Sequence, residues 1–329
     1  MSYNSLLPLI KKTKSTLSPE KFQERINIVF HDFEASHYDA MHTDMWGSLQ
    51  EQINLLIDDL FASNTLENHQ LSLLDIGCGT GLSTQILLNS KLGEQIGQIT
   101  LLDTSPNMLK LASEKAKNWG KKFKTVNSYL ADLNECFDVI IISSVLHHIP
   151  DLEMFLSQVD KALNPGGILI HIQDPNGDYL NDAEYKQRKT RYEKELQSIP
   201  KRKKATDFIP KPVLKSIKRI LNKKDYIDKI NDQLLAEKTI HKRMTADEIW
   251  SVTDIHVETK SDFVNKGISL QFLKNQLKNF ELIKMRSYGF FGYLKSDLLD
   301  SYKVHEEQFI KENQVNGRNI SCIWIKNSK

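Results

Sequence analysis

The apolar positions of this chain follow two periods. Short continuous runs, Leu71 to Ile76, Ile99 to Leu102, Phe137 to Ile142 and Ile168 to Ile172, suit strands buried on both faces of a parallel sheet. A weaker strand is expected over Val126 to Leu130, leading to Ala131-Asp132. Between these runs the spacing becomes helical: from Leu82 to about Leu92, behind the cap Ser105-Pro106, and through Leu152, Phe155, Leu156, Val159 and Leu163. Asn164-Pro165-Gly166-Gly167 reads as the turn into the last of these strands, which ends at Asp174. Parallel strands joined by helices all point one way. The segments after Ile76, Leu102, Leu130, Ile142 and Ile172 should therefore leave on one sheet edge, where ligands bind in open α/β sheets.

The flanks are helical. Ser18-Pro19-Glu20 starts a helix carrying Phe22, Ile26, Val29 and Phe30, and a second helix is expected over Leu49 to Phe61. After Asp174 the composition shifts. Asn181 to Arg243 holds 19 Lys/Arg against 9 Asp/Glu, a net of +10 in a chain whose total is +2, so the remainder carries −8. Phe208, Val213, Leu214, Ile217 and Ile227 keep a helical period there, which predicts a helical insertion and not a charged disordered tail. Thr245-Ala246-Asp247-Glu248 is a capping box, Ser269 to Phe280 a helix, and Leu282 to Phe291 and Ile320 to Lys326 the last two strands, with a helical stretch from Lys295 to Asn313 between them. The expected organisation is a helical cap over 1–62, an α/β core over 63–175, a basic helical lid over 176–265, and a return to the sheet over 266–329.

The chemistry starts at Leu73-Leu74-Asp75-Ile76-Gly77-Cys78-Gly79-Thr80-Gly81, where a strand ends in an acid followed by three alternate glycines. Such a loop turns sharply and brings backbone N–H groups close to a ligand. The GxGxG spacing is neither the GxGxxG of dinucleotide sites nor a GxxxxGK[ST] phosphate loop. At the end of the next strand Asp103 stands where a carboxylate accepts hydrogen bonds from a ribose diol.

Leu74 to Gly81 closely resembles motif I of the class I S-adenosylmethionine-dependent methyltransferases, and FDVIIISSVLHHI and ALNPGGILI resemble further motifs of that family. The resemblance covers about residues 70–175. It implies a Rossmann-like, doubly wound sheet, mostly parallel with an antiparallel last strand, and S-adenosylmethionine as cofactor, leaving S-adenosylhomocysteine as product. The glycine backbone would hold the methionine half, with Asp75 orienting it directly or through water and Gly77 and Gly79 in contact. Thr104 and Ser143 are candidate cofactor contacts at the same edge, Met108 is a candidate contact of the adenine or a core residue of its helix, and Asp132 matches the acid that binds the adenine amino group. Ala35-Ser36-His37-Tyr38-Asp39 is similar to the family's A-x-x-Y-D segment, which makes Tyr38 and Trp46 candidate caps over the cofactor.

Methyl transfer from a sulfonium asks the protein to align the reactants, exclude water and manage one proton. A titratable group near neutrality at this edge is the expected base, and His148 is the candidate. His147, Asp174 and His256 are candidate substrate contacts, the lid covering the acceptor. The acceptor is expected to be a small molecule. RNA, a carrier-protein-bound substrate or an acidic partner at the basic segment are alternatives, as is a cofactor-binding regulator without catalysis. Three cysteines without CxxC or Cys/His spacing suggest neither a disulfide framework nor a metal. Without a targeting signal or an apolar run long enough for a membrane span, a cytoplasmic location is expected.

Overall fold

The run Phe137 to Ile142 lies at the centre of a sheet, hydrogen-bonded on both sides. The computed structural model describes residues 6–35, 43–63, 70–199, 226–256 and 267–328. Among them, β1 (Leu71–Ile76), β2 (Ile96–Asp103), β3 (Lys122–Asn127), β4 (Phe137–Ser143), β5 (Leu163–Pro175), β6 (Phe280–Tyr288) and β7 (Asn319–Lys326) form one sheet. Its order is β3-β2-β1-β4-β5-β7-β6. The first five strands are parallel, and β7 runs antiparallel between β5 and β6. Helices α1 (Leu7–Thr13), α2 (Pro19–Glu34) and α3 (Thr43–Ser63) precede the sheet. The crossovers are α4 (Leu82–Leu88), α5 (Lys91–Gln95), α6 (Pro106–Ala116) and α7 (Leu152–Ala162). Between β5 and β6 lie α8 (Ala183–Ser198), α9 (Tyr226–Ala236), α10 (Ala246–Thr253) and α11 (Leu270–Gln276), and α12 (Asp300–Lys311) precedes β7.

The period-two pattern divides each central strand between two cores. Leu73, Leu101, Val139, Ile141 and Ile170 pack toward α3, α4 and α6, while Leu74, Leu102, Ile140, Ile142 and Leu169 face α7 and α11. A third core joins segments expected to be separate. Phe22, Ile26 and Val29 of α2 and Leu9 of α1 bury against Ile230 and Leu234 of α9 and Ile249 and Val252 of α10. Arg25 clamps Glu237 across this seam, Nε to Oε2 at 2.6 Å. The N-terminal helices and the returning end of the insertion are one helical roof. The apolar run Phe208 to Leu221 lies outside the described residues.

Several boundaries differ from those expected, each for a local reason. The helix after the glycine loop stops at Leu88, because the N–H of Asn89 and the Ser90 hydroxyl close its last carbonyls, and Leu92 belongs to the separate α5. The third strand is Lys122–Asn127, and Leu130 falls in a 3₁₀ turn. As an edge strand it has one neighbour and tolerates exposed Lys and Thr, so its apolar signal is faint. Asn164 to Gly167 falls within the bounds of β5 but keeps a turn, with Gly166 at φ of 76° and the pairing to β4 interrupted between Leu163 and Ile168. α11 ends at Gln276, and β6 starts at Phe280 and stops before Gly289, which has φ of 75°. No helix among the described residues is long and apolar enough to cross a membrane.

His171, mid-strand in β5, is 1% exposed beside Trp324, and neither ring nitrogen has a hydrogen-bond partner. Burial lowers its pKa to about 4. The unfolded chain, with histidine near 6.5, takes up this proton first, so the stability that neutral His171 permits is lost as pH falls below 6.5 toward 4. His171→Leu should lessen the stability lost between pH 7.5 and 5 by about 2 kcal/mol relative to the wild type, measured by urea denaturation.

Candidate active site

A cleft of about 1180 Å³ opens at the carboxyl ends of β1, β2 and β4, beneath the roof of α2 and α10. That exceeds the roughly 300–1,000 Å³ usual for a single small-molecule site. Gly77, Gly79, Asp103, Thr104, Met108, Asp132 and Ser143 all line it, as do His147 and His148. The glycine loop turns sharply. Gly77, Gly79 and Gly81 take φ of 66°, 52° and 83°, and a Cβ on Gly79 would meet nothing within 4 Å. A narrow recess of about 30 Å³ continues from this loop past Ser83 to Ser143 and Ser144.

Asp103 braces the loop. Its Oδ2 accepts the Gly79 N–H at 2.8 Å and its Oδ1 the Ser105 N–H at 2.8 Å, which leaves each oxygen a second lone pair. Burial raises its pKa. Asp132 is exposed, and its Oδ2 accepts the Ser128 hydroxyl at 2.5 Å. Asp75 departs from expectation. It is fully buried, absent from the cleft wall, and its Oδ2 accepts the Ser83 and Thr84 hydroxyls at 2.7 and 2.6 Å. Burial raises its pKa to about 6. It pins the start of α4 from behind, and its Oδ1 is a buried acceptor without a partner.

Trp46 also lies elsewhere. Because α3 begins at Thr43, the indole packs on the core beneath α3, with Lys115 Nζ 6.0 Å from the ring centroid. Lys115 in turn donates to the Thr80 hydroxyl at 3.0 Å, so Trp46 supports the glycine loop and does not cap the cleft. Tyr38 lies outside the described residues.

After β4 the backbone turns at Ser144, left-handed at φ 61°, into the 3₁₀ turn Leu146–His148. A non-glycine residue in that region marks a strained turn, and its N–H is tied to the Ile172 carbonyl at 2.8 Å. Asp174, 0% exposed at the end of β5, accepts both the His147 backbone N–H at 3.1 Å and its Nδ1 at 2.9 Å through Oδ1. That contact places the ring proton on Nδ1 and leaves Nε2 as the acceptor nitrogen of His147. Asp174 and His256, expected against substrate, do not line the cleft. The His256 N–H holds the His147 carbonyl at 3.1 Å and its Nε2 the Ile149 carbonyl at 2.9 Å, so both residues fix the histidine turn from behind.

His148 packs against His147, with ring centroids 4.0 Å apart, and its Nδ1 meets the Thr253 carbonyl at 2.8 Å. Burial, then the neighbouring His147 and His31, push its pKa well below 6.5. His31, which the sequence did not single out, lines the cleft from α2 with its ring centroid 5.0 Å from that of His148. Burial would lower its pKa, but the Glu34 carboxylate at 3.2 Å, with Asp103 and Asp254, raises it. The signal was available: Gln23, Asn27, His31 and Glu34 recur at helical spacing beside the apolar stripe of α2, and all four face the cleft. Gln23 Nε2 donates to the His148 carbonyl at 3.1 Å, joining roof to turn. Asp254, also on the cleft wall, follows α10 with no sequence signal of its own.

Residues 74–169 match a family described as a methyltransferase domain. Among curated relatives, the chain is 28% identical over 169 residues to a trichosetin synthetase of Gibberella fujikuroi, covering 49% of this chain and 4% of that protein. It is 31% identical over 99 residues to a ubiquinone biosynthesis O-methyltransferase of Mesorhizobium japonicum, covering 30% of this chain and 39% of that one. The chain thus spans a small fraction of the synthase and less than half of the second relative. Solved structures of similar fold include a magnesium protoporphyrin IX methyltransferase from Synechocystis with bound SAH, at TM-score 0.47 and 11% identity over 93% of this chain and 100% of that one. The plantazolicin methyltransferase BpumL with SAH matches at TM-score 0.42 and 15% identity over 94% of this chain and 98% of that one.

Gly77 and Gly79 should respond differently to the same change. An alanine Cβ at Gly77 would stand 2.5 Å from Val145 Cγ2, a stiff β-branched neighbour, at a positive φ. Gly77→Ala should cost roughly 2–3 kcal/mol by urea denaturation. Gly79→Ala, strained but unobstructed, should cost only about 1 kcal/mol.

Proposed function

We propose that this chain, whose residues 74–169 match a methyltransferase domain, is a class I, Rossmann-like S-adenosylmethionine-dependent methyltransferase that methylates a small-molecule acceptor in the cleft, with His147, oriented by Asp174, taking the acceptor's proton. The observation that carries this reading is the Asp174 to His147 contact, 2.9 Å, on a ring that shares one cleft wall with Gly79 and Asp103. When bound, S-adenosylmethionine supplies both an electrophilic methyl group and a neutral leaving group. The residues present fit it. The open Gly79 cradle suits its methionine half, Asp103 with its spare lone pairs suits the ribose, and Asp132 and Met108 stand on the adenine side.

The base moves one residue from the sequence expectation. His148 and His147 each keep a lone pair on Nε2, but burial and neighbouring imidazoles make His148 a poor proton acceptor. For His147, a fully buried carboxylate behind Nδ1 fixes the tautomer and stabilises the imidazolium once the proton arrives. His148 shapes the wall between His147 and His31. The roof keeps bulk water from this wall, since Gln23 ties α2 to the histidine turn.

The rim suggests an acceptor with an apolar body. Tyr129, Met154 and Trp250, 43%, 52% and 42% exposed, all lie on the cleft wall. Several curated relatives are named as polyketide synthases or hybrid synthetases, which supports an acceptor of natural-product type. Incubation with methyl-labelled S-adenosylmethionine and fractionated cell extract should place the label in small apolar molecules. Label confined to RNA or protein would refute the small-molecule acceptor. With an acceptor in hand, His147→Gln should lower kcat by roughly 10²–10⁴-fold while S-adenosylhomocysteine affinity stays within threefold. Asp174→Asn should follow it, and His148→Gln should lose less than His147→Gln. Equal activity of His147→Gln and wild type would remove His147 from the proton transfer.

A further inference from the structure

A lone pair poised to take a proton is also a ligand. His147, His148 and Asp254 each offer one donor atom, and these atoms lie within 4.8 Å of one another on the cleft wall. We propose that these three side chains form a binding site for a divalent transition-metal ion of the Zn²⁺ kind. The two imidazoles and one carboxylate supply three protein ligands, and the remaining position faces the cleft, as in open zinc sites. The consequence for catalysis rests on the reading of His147 as proton acceptor.

The surroundings of these ligands are those of a metal site. The Asp174 carboxylate behind His147 Nδ1 reproduces the carboxylate–histidine arrangement that orients imidazole ligands and raises their basicity. On His148 the Nδ1–H donates to the Thr253 carbonyl at 2.8 Å, which leaves the lone pair on Nε2. Three ligands about 2.1 Å from one ion stand about 3.4 Å apart in a tetrahedron, so the cluster has to contract. Asp254, its side chain 30% exposed, is the member with room to move, and ligation requires its carboxylate to leave its present contact with His148 Nδ1 at 3.3 Å. Its position directly after α10 lets the carboxylate swing without disturbing the buried Asp174 to His147 pair.

A bound ion occupies the Nε2 lone pair of His147 and so blocks methyl transfer. Tag-free full-length protein is titrated with Zn²⁺ by calorimetry and with Co²⁺ by visible absorption, at pH 7.5. One ion per chain and d–d bands of a four- or five-coordinate centre are expected. Asp254→Asn and His147→Gln should each weaken binding at least tenfold, and Asp174→Asn about 10–100-fold although it does not touch the ion. Absence of stoichiometric uptake, or affinity within twofold of wild type in folded Asp254→Asn and His147→Gln, would overturn the site. The two readings separate cleanly. Stoichiometric Zn²⁺ with methyl transfer undiminished keeps the ion site and refutes His147 as base. No ion uptake, with transfer abolished in His147→Gln, does the reverse.

Discussion

A strand buried on both faces can present chemistry only where it stops. β4 is such a strand, with Val139 to Ile142 completely buried between two helical layers, and the sheet on either side of it is built under the same constraint. Every polar group of the cleft floor therefore comes from a strand end or the turn after it: the glycine loop after β1, Asp103 closing β2, and the histidine turn after β4. The left-handed Ser144 and the buried Asp174 belong to the same logic. They aim one imidazole at the cleft from a strand that has no other freedom to do so.

This constraint explains what could be read in advance. The parallel strands, their common edge and the positions of Gly77, Gly79, Asp103 and Asp132 follow from period and spacing, because a doubly buried strand leaves a continuous apolar signature. Edge strand β3 has no such signature and was misplaced by several residues. Asp75 and Trp46 were assigned to the ligand because residue type and proximity in sequence cannot distinguish the front of a loop from its back. Their burial behind it depends on where α3 and α4 pack. The choice between adjacent His147 and His148 was likewise not local, since Asp174 and Thr253, which hold one ring each, lie 27 and 105 positions away.

The roof was the least legible part, although each of its pieces was visible as a helix. Amphipathic periodicity reports that a helix has an apolar face, not which helix covers it. Here α2 turns its apolar stripe to α9 and α10 and its polar stripe, Gln23, Asn27, His31 and Glu34, to the cleft. A polar row beside an apolar one on a buried helix is thus as informative as the apolar row itself.

The seam between α2 and α9 has a consequence for how the molecule comes into being. Arg25 and Glu237 are 212 positions apart, so the roof closes only after the five parallel strands β1 to β5 have been made. During synthesis the parallel strands can assemble with their ligand edge still uncovered, and closing the long loop between the roof partners carries an entropic cost of its own. The cleft is thus an open groove in the growing chain until the roof closes over it. A ligand that binds at the strand ends thus has access before the wall supplied by the roof exists.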